Sequence, residues 1–281
     1  MPAARLVLRG LLDPRESAAA LARPIADAVN IPCSQLPERT HELPPKNRLV
    51  RVAAVSASAG EAVAWLRSVR RRAEAVPDFE FGTGRTSDTA ERDSDDIGRL
   101  WSPNAFLADR IGELTPGSAL DLACGTGRDA VFLASCGWDV TGVDVLADAL
   151  ERARDLARRC APAIRPIRWV QTDLEAEDES PASPLPVDRK GVPLRYDLIV
   201  GFRYLHRPLF RRLRDWLTPG GSVIYETFTT QHRERFGKPS RDSYLLEPGE
   251  LPKLLADFQI RHSSEGLRDD AYTARVWATR A

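Results

Sequence analysis

Two hydrophobic periods alternate along the second half of the chain. SALDLAC (118–124) is a short apolar run that predicts a strand, and RDAVFLASCG, directly after it, has helical spacing. DVTGVDV (139–145) predicts a strand, 147–160 a helix and IRWVQTD (167–173) a third strand. YDLIVGF (196–202) predicts a strand, PLFRRLRDWL (208–217) a helix ending at Pro219-Gly220-Gly221, and GSVIYETF (221–228) a strand. Strand–helix alternation of this kind predicts an α/β fold with a mostly parallel sheet and right-handed crossovers. The end of the chain breaks the alternation. DFQIRHSSEG and AYTARVWATR are two strand-like runs separated only by the turn-like LRDD, which predicts an antiparallel pair closing the sheet.

The N-terminal pattern is less regular. LVLRGLLD supplies one or two strands, ADAVNIP a short one and RLVRVAAVS another. SAGEAVAWLRSVRRRAEAV reads as one helix with Val63, Leu66 and Val69 on one face. Arg70, Arg71 and Arg72 near its end are expected to be a solvated face favoured by the helix dipole rather than a nucleic-acid patch. Residues 80–100 are polar without hydrophobic period until Ile97 and are expected to be a linker; 175–193 are expected to be an exposed loop. The expected organisation is therefore 1–79 as a small α/β domain, 80–100 as linker and 101–281 as the larger α/β domain.

Composition changes this picture little. In 281 residues, 40 basic and 40 acidic side chains cancel, so no net field draws nucleic acid or an anionic membrane. No run is long and apolar enough for a membrane span and no signal-peptide core opens the chain, so a cytoplasmic protein is expected. Cys33, Cys124, Cys136 and Cys160 have neither metal nor disulfide spacing; reduced thiols and no metal site are the expectation.

The chemistry begins at DLACGTGRD (121–129). Gly125-x-Gly127-x-x-Ala130 with Asp144 about twenty residues on fits both NAD and S-adenosylmethionine sites, since each sets an adenosine ribose against an acid after the second strand. Three features favour S-adenosylmethionine. Asp121 lies within the first strand, where an ammonium group gains from a carboxylate and a pyrophosphate does not. Asp173 ends the third strand, placed to accept a hydrogen bond from an adenine amino group. The sheet ends in an antiparallel strand.

ALDLACGTGRDAVFLASCGWDVTGVDV resembles the first half of a class I S-adenosylmethionine-dependent methyltransferase, a Rossmann-like fold, and the order Asp121, Asp144, Asp173 matches that family's cofactor-binding pattern. The resemblance implies S-adenosyl-L-methionine as cofactor, with Asp121, Ala123, Gly125, Gly127, Asp144, Val145, Asp173, Leu174 and Gly201 around it. YDLIVGFRYLHRPLF, GGSVIYETF and FGKPSRDSYLLEPGEL resemble the tellurite-resistance-type branch. GFRY stands where a sequence such as NPPY would mark methylation of an amino group on adenine or glutamine. The N-terminal stretch DAVNIPCSQLPERTHELPPKNRLVRVAA with SASAGEAVAWL is similar to rhodanese-like domains, but residues 55–60 hold no cysteine and Cys33 lies upstream of the active position. Without a thiolate there the unit is expected to be noncatalytic, with a protein partner as one use for it.

The acceptor side is read from the segment after the fourth strand. Tyr204 and His206 are the candidate catalytic residues, His206 as base or orienting group or else as a structural histidine opening the next helix. Glu226 and Thr227 come after the fifth strand. Trp101 and Phe106 are expected on a helix over the cofactor or in ordinary packing, and Arg268 is a further candidate for an anionic acceptor. The function expected is methyl transfer to a small or soft nucleophile, such as a thiol, chalcogen oxyanion or small metabolite. A noncatalytic cofactor-sensing protein and an NAD-dependent oxidoreductase are the alternatives. The acceptor and the oligomeric state are not written in the sequence.

Overall fold

The computed structural model describes residues 4–77, 96–176 and 193–281. It divides into two compact units, Met1–Ser102 and Pro103–Ala281.

The first unit contains β1 (Leu6–Leu8), β2 (Leu11–Asp13), α1 (Ser17–Ala22), β3 (Ala28–Asn30), β4 (Leu49–Ala53), α2 (Ser58–Ser68), β5 (Arg72–Val76) and β6 (Ile97–Arg99). Four of the strands form a parallel sheet in the order β3-β2-β4-β5, while β1 and β6 pair separately, also in parallel. Leu12, Ile31, Val50, Val52, Ala62 and Leu66 are buried in its core. Two expectations are corrected. The helix predicted to run to Val76 stops at Ser68, because Arg70 takes a left-handed backbone (φ 61°) and the chain re-enters the sheet as β5. The arginines there are not a helix face: Arg71 donates to the Pro44 carbonyl at 2.6 Å, and Arg72 belongs to β5. The predicted linker also ends early, since Ile97–Arg99 is a strand paired with Leu6–Leu8; residues 80–95 of it lie outside the described residues.

The second unit runs α3 (Ala105–Arg110), β7 (Ser118–Leu122), α4 (Arg128–Ser135), β8 (Asp139–Asp144), α5 (Ala147–Cys160), β9 (Arg168–Gln171), β10 (Tyr196–Phe202), α6 (Phe210–Trp216), β11 (Leu217–Phe228), α7 (Thr230–Phe236), α8 (Glu250–Leu254), β12 (Gln259–Arg268) and β13 (Ala271–Thr279). Its seven-stranded sheet has the order β12-β13-β11-β10-β7-β8-β9. The five strands from β11 to β9 are parallel, β13 is antiparallel to β11, and β12 is antiparallel to β13. This is the predicted mostly parallel sheet closed by a C-terminal hairpin. The hairpin turns on Asp269 and Asp270, both left-handed (φ 48° and 64°), the handedness that a tight turn between twisted strands requires. The helix before β11 ends at Trp216 rather than at the Pro-Gly-Gly turn, because Leu217 already pairs with Tyr196. Of the predicted loop at 175–193, residues 177–192 lie outside the described residues.

From β7 the chain winds outward through β8 to β9, then returns to lay β10 on the other side of β7. Loops leaving β7 and β10 therefore diverge at the carboxyl edge. That divergence opens the crevice in which doubly wound sheets bind ligands.

Candidate functional site

At that crevice the turn after β7 carries three left-handed residues, Ala123 (φ 52°), Gly125 (φ 54°) and Gly127 (φ 77°). Asp144, at the end of β8, holds it. The Gly125 N–H donates to Asp144 Oδ2 at 2.7 Å and the Leu146 N–H to Oδ1 at 2.9 Å. Asp144 is thus a tether for the glycine turn, and each of its oxygens keeps a lone pair for a further donor. The two glycines have different reasons. A Cβ on Gly125 would meet nothing within 4 Å, so the turn faces open space there. A Cβ on Gly127 would stand 2.7 Å from the Trp169 ring and 2.8 Å from the Ala153 side chain. Gly127 therefore serves the packing of α4 against α5 and β9, not direct approach to a ligand.

Asp121 is 2% exposed and its Oδ2 has no hydrogen-bond partner. Burial, foremost, and then the charge of Asp129 push its carboxyl well above the usual range; Asp144 adds to this and the Ala130 N–H opposes it. Asp129 is itself raised by burial, opposed by the hydrogen bond at 2.6 Å that it accepts from the Asn104 N–H. A buried carboxylate oxygen with no donor, next to an open glycine turn, fits a ligand that brings a cation.

Beside the turn lies a cavity of about 540 Å³, within the range of small-ligand pockets. Of the sequence-predicted residues, Ala123, Asp144, Val145, Asp173, Leu174 and Tyr204 line it. Val145 is 51% exposed, an apolar side chain left for a ligand to cover. Asp173 lies two residues beyond β9, not on it, and its Oδ1 accepts the Glu175 N–H at 2.8 Å. The Tyr204 phenol oxygen is buried without a partner, and its pKa is raised by burial first and then by Glu175, Asp173 and Asp144.

Asp121, Gly125 and Gly127 stand behind or beside the cavity, not on its lining. Gly201 is also absent from the lining. A Cβ there would fall 2.3 Å from the Tyr225 ring, so its smallness serves the core. His206 is half-buried at the start of the turn Arg207–Leu209 and is not among the lining residues. Glu226 faces a polar network, accepting from Asn104 Nδ2 at 2.8 Å and Thr273 Oγ1 at 2.7 Å. Trp101 precedes α3, whereas Phe106 lies on it and packs with Ala119, Ala130 and Ile224. Arg268 bonds Asp109 at 2.6 Å.

Sequence reasoning missed Arg203, Leu205, Phe228, Pro239 and Tyr244 on the cavity wall. Arg203 sits in GFRY, a tetrapeptide that in sequence tells only which motif it is not, and its left-handed backbone (φ 57°) has no sequence signature. Among the described residues, no group of three His, Cys, Asp or Glu side chains could hold a metal ion, and no helix is long and apolar enough to cross a membrane.

Residues 120–223 match the family described as methyltransferase domain. No curated protein matches the chain. Among solved structures, TehB from Haemophilus influenzae is similar at 18% identity and a TM-score of 0.49, over 62% of this chain and 61% of that one, so the chain spans less than two thirds of TehB. The N-methyltransferase NodS from Bradyrhizobium japonicum WM9 is similar at 18% identity and a TM-score of 0.46, over 62% and 92%. The magnesium protoporphyrin IX methyltransferase ChlM from Synechocystis PCC 6803, solved with bound SAM, is similar at 18% identity and a TM-score of 0.46, over 63% and 74%. The matched residues lie within the second unit and run from β7 into β11.

Proposed function

We propose that the second unit holds S-adenosyl-L-methionine across the carboxyl edge of β7 and β8 and methylates a small nucleophilic acceptor. The observation that carries this reading is the buried, unpartnered Oδ2 of Asp121 beside the open turn at Gly125. In this reading Asp121 receives the ammonium group. Asp144 accepts from the ribose with its remaining lone pairs, and Asp173 and Leu174 border the adenine over the exposed side chains of Val145 and Leu146. Bound S-adenosyl-L-methionine supplies a sulfonium methyl group: an acceptor lone pair forms the new bond to carbon, the carbon–sulfur electron pair returns to sulfur, and a neutral thioether leaves. The protein's own contribution is to align the acceptor and exclude water.

The wall after β10 is where an acceptor would lie, and Tyr204 is the polar group best supported there. The residue lines the cavity, its buried hydroxyl has no partner, and its backbone carbonyl is fixed by the Tyr225 hydroxyl at 2.8 Å. A catalytic role for His206 has less support, since that side chain is absent from the lining. The N-terminal unit, by its likeness to rhodanese domains and its lack of a cysteine at 55–60, is proposed as a noncatalytic module.

Calorimetric titration with S-adenosylhomocysteine and with NAD tests the reading. Binding of the first and not the second is expected; the reverse would return the site to a dehydrogenase. Single-turnover methyl transfer in Tyr204→Phe and His206→Gln then separates the two residues. Loss in the first alone assigns the acceptor contact to Tyr204, whereas loss in the second alone reinstates His206.

A further inference from the structure

The cavity lining carries both signs of charge. Asp144, Asp173 and Glu175 line it and act on Tyr204, whereas Arg203 is the one cation among the described lining residues, with Phe228, Pro239 and Tyr244 on the same lining. Arg203 is placed there at a cost. Its left-handed backbone (φ 57°) is unfavourable for a side chain with a Cβ, and it persists because the Arg203 N–H is bonded to the Glu226 carbonyl at 2.8 Å. Its guanidinium lies 5.8 Å from the Phe228 ring centroid and has no hydrogen-bonded carboxylate among the described residues. Asp129 is within reach of its charge, but that carboxylate takes the Asn104 N–H. Arg207, by contrast, is paired with Glu250 and Arg268 with Asp109.

A guanidinium held over an aromatic face, with no hydrogen-bonded carboxylate among the described residues, suits a planar oxyanion attached to an apolar body. Resting on the methyltransferase reading, we infer that the acceptor is a small organic acid. Arg203 binds its carboxylate, and Phe228 and Tyr244 flank its apolar, preferably aromatic, part. Arg203 is a binding and specificity residue in this assignment, since the methyl group goes to a different atom of the acceptor.

The test uses the full chain and benzoate as the probe, titrated with and without S-adenosylhomocysteine, with benzamide as neutral isostere and inorganic phosphate as bare oxyanion. Benzoate is expected to bind at least about tenfold more tightly than benzamide or phosphate. That preference is expected to vanish in Arg203→Ala and to be partly kept in Arg203→Lys, consistent with the strength of hydrogen bonds to charged groups. S-adenosylhomocysteine affinity and the thermal melt are expected to be unchanged in both variants. Equal binding of benzoate and benzamide overturns the inference, and phosphate matching benzoate overturns the organic body. If Arg203→Ala weakens S-adenosylhomocysteine but not 5′-methylthioadenosine, which lacks the amino-acid end, Arg203 serves the cofactor's carboxylate and the inference also fails. Wild-type protein that binds benzoate selectively but no S-adenosylhomocysteine overturns the methyltransferase reading instead, so the two failures are distinct.

Discussion

Each unit is built on a parallel sheet, and each buries an aspartate toward the carboxyl end of an inner strand. Asp13 on β2 and Asp121 on β7 are both 2% exposed. Their surroundings are opposite. Asp13 receives Arg15 through two guanidinium hydrogen bonds, 2.9 and 2.7 Å, and the Arg15 N–H at 3.1 Å. Around it Asn30 donates to the Asp13 and Arg15 carbonyls. Asp121 faces further acids and keeps an oxygen without a donor. The same burial thus means closure in one sheet and an unmet acceptor in the other. A buried charge that the chain itself neutralises is a structural device, and one that the chain leaves open is better explained by something that binds.

The largest expected effect comes from opening the closed site. Arg15→Ala leaves Asp13 buried without its cation and should destabilise the first unit by about 3 kcal/mol, seen as a lower urea midpoint. S-adenosylhomocysteine affinity should stay unchanged. A shift near zero would mean that the Asp13 pair is idle and the contrast false.

Asp121→Asn should act with the opposite sign on the unliganded protein. A carboxyl raised in the folded state gives stability that is fully present below its ordinary value of 3.8 and lost as pH rises through the folded value. Ionisation of this side chain therefore costs the fold stability as pH rises, and the amide should raise the melting temperature at pH 7. The same change removes the partner of a ligand ammonium and should weaken S-adenosylhomocysteine by about 1–3 kcal/mol. A lower melting temperature together with unchanged affinity would place Asp121 with Asp13 as a structural acid.

The smallest effect belongs to a satisfied group of the second unit. His232 stacks on Phe228 at 4.4 Å and accepts the Tyr272 N–H at 3.2 Å through Nδ1, so its neutral form is the one used. Burial, and secondarily Arg203, lower its pKa from 6.5. Stability from this contact is present above the unfolded pKa and falls as pH drops through the folded one. A melt series from pH 7.5 to pH 5 should decline less in His232→Gln than in the parent; equal slopes would remove the contact from the account.

Local signals made much of the fold legible. The apolar run before Gly125, the helical spacing after it and the two strands around LRDD correspond to β7, α4, β12 and β13. Their periods depend on neighbouring residues, and one buried face fixes each. Features that escaped depend on distant partners. The helix predicted through Arg70 fails because Ala73 and Val76 are buried on a strand beside β4, and helical and strand patterns both fit so short a run. Gly127 fits a cofactor turn in sequence and the resemblance sets Gly201 near the cofactor, yet their small size answers Trp169, Ala153 and Tyr225, all distant along the chain. That Asp144 and Asp173 reach the cavity was legible because their order along the strands maps onto one edge. Arg203 was not, because its left-handed backbone leaves no mark in the sequence.

Tyr225 links these points. Its ring fills the space that Gly201 leaves on the neighbouring strand, its face meets Phe210 at 4.9 Å, and its hydroxyl fixes the Tyr204 carbonyl. A fully buried core residue thereby sets the height of the cavity wall, while the side chains at 203 and 204 project from it. The consequence is evolvability: the wall's position is inherited with the core, and its recognition can drift by single exchanges at two neighbouring positions. On the function proposed above, an exchange at either position would change the acceptor without refolding the sheet.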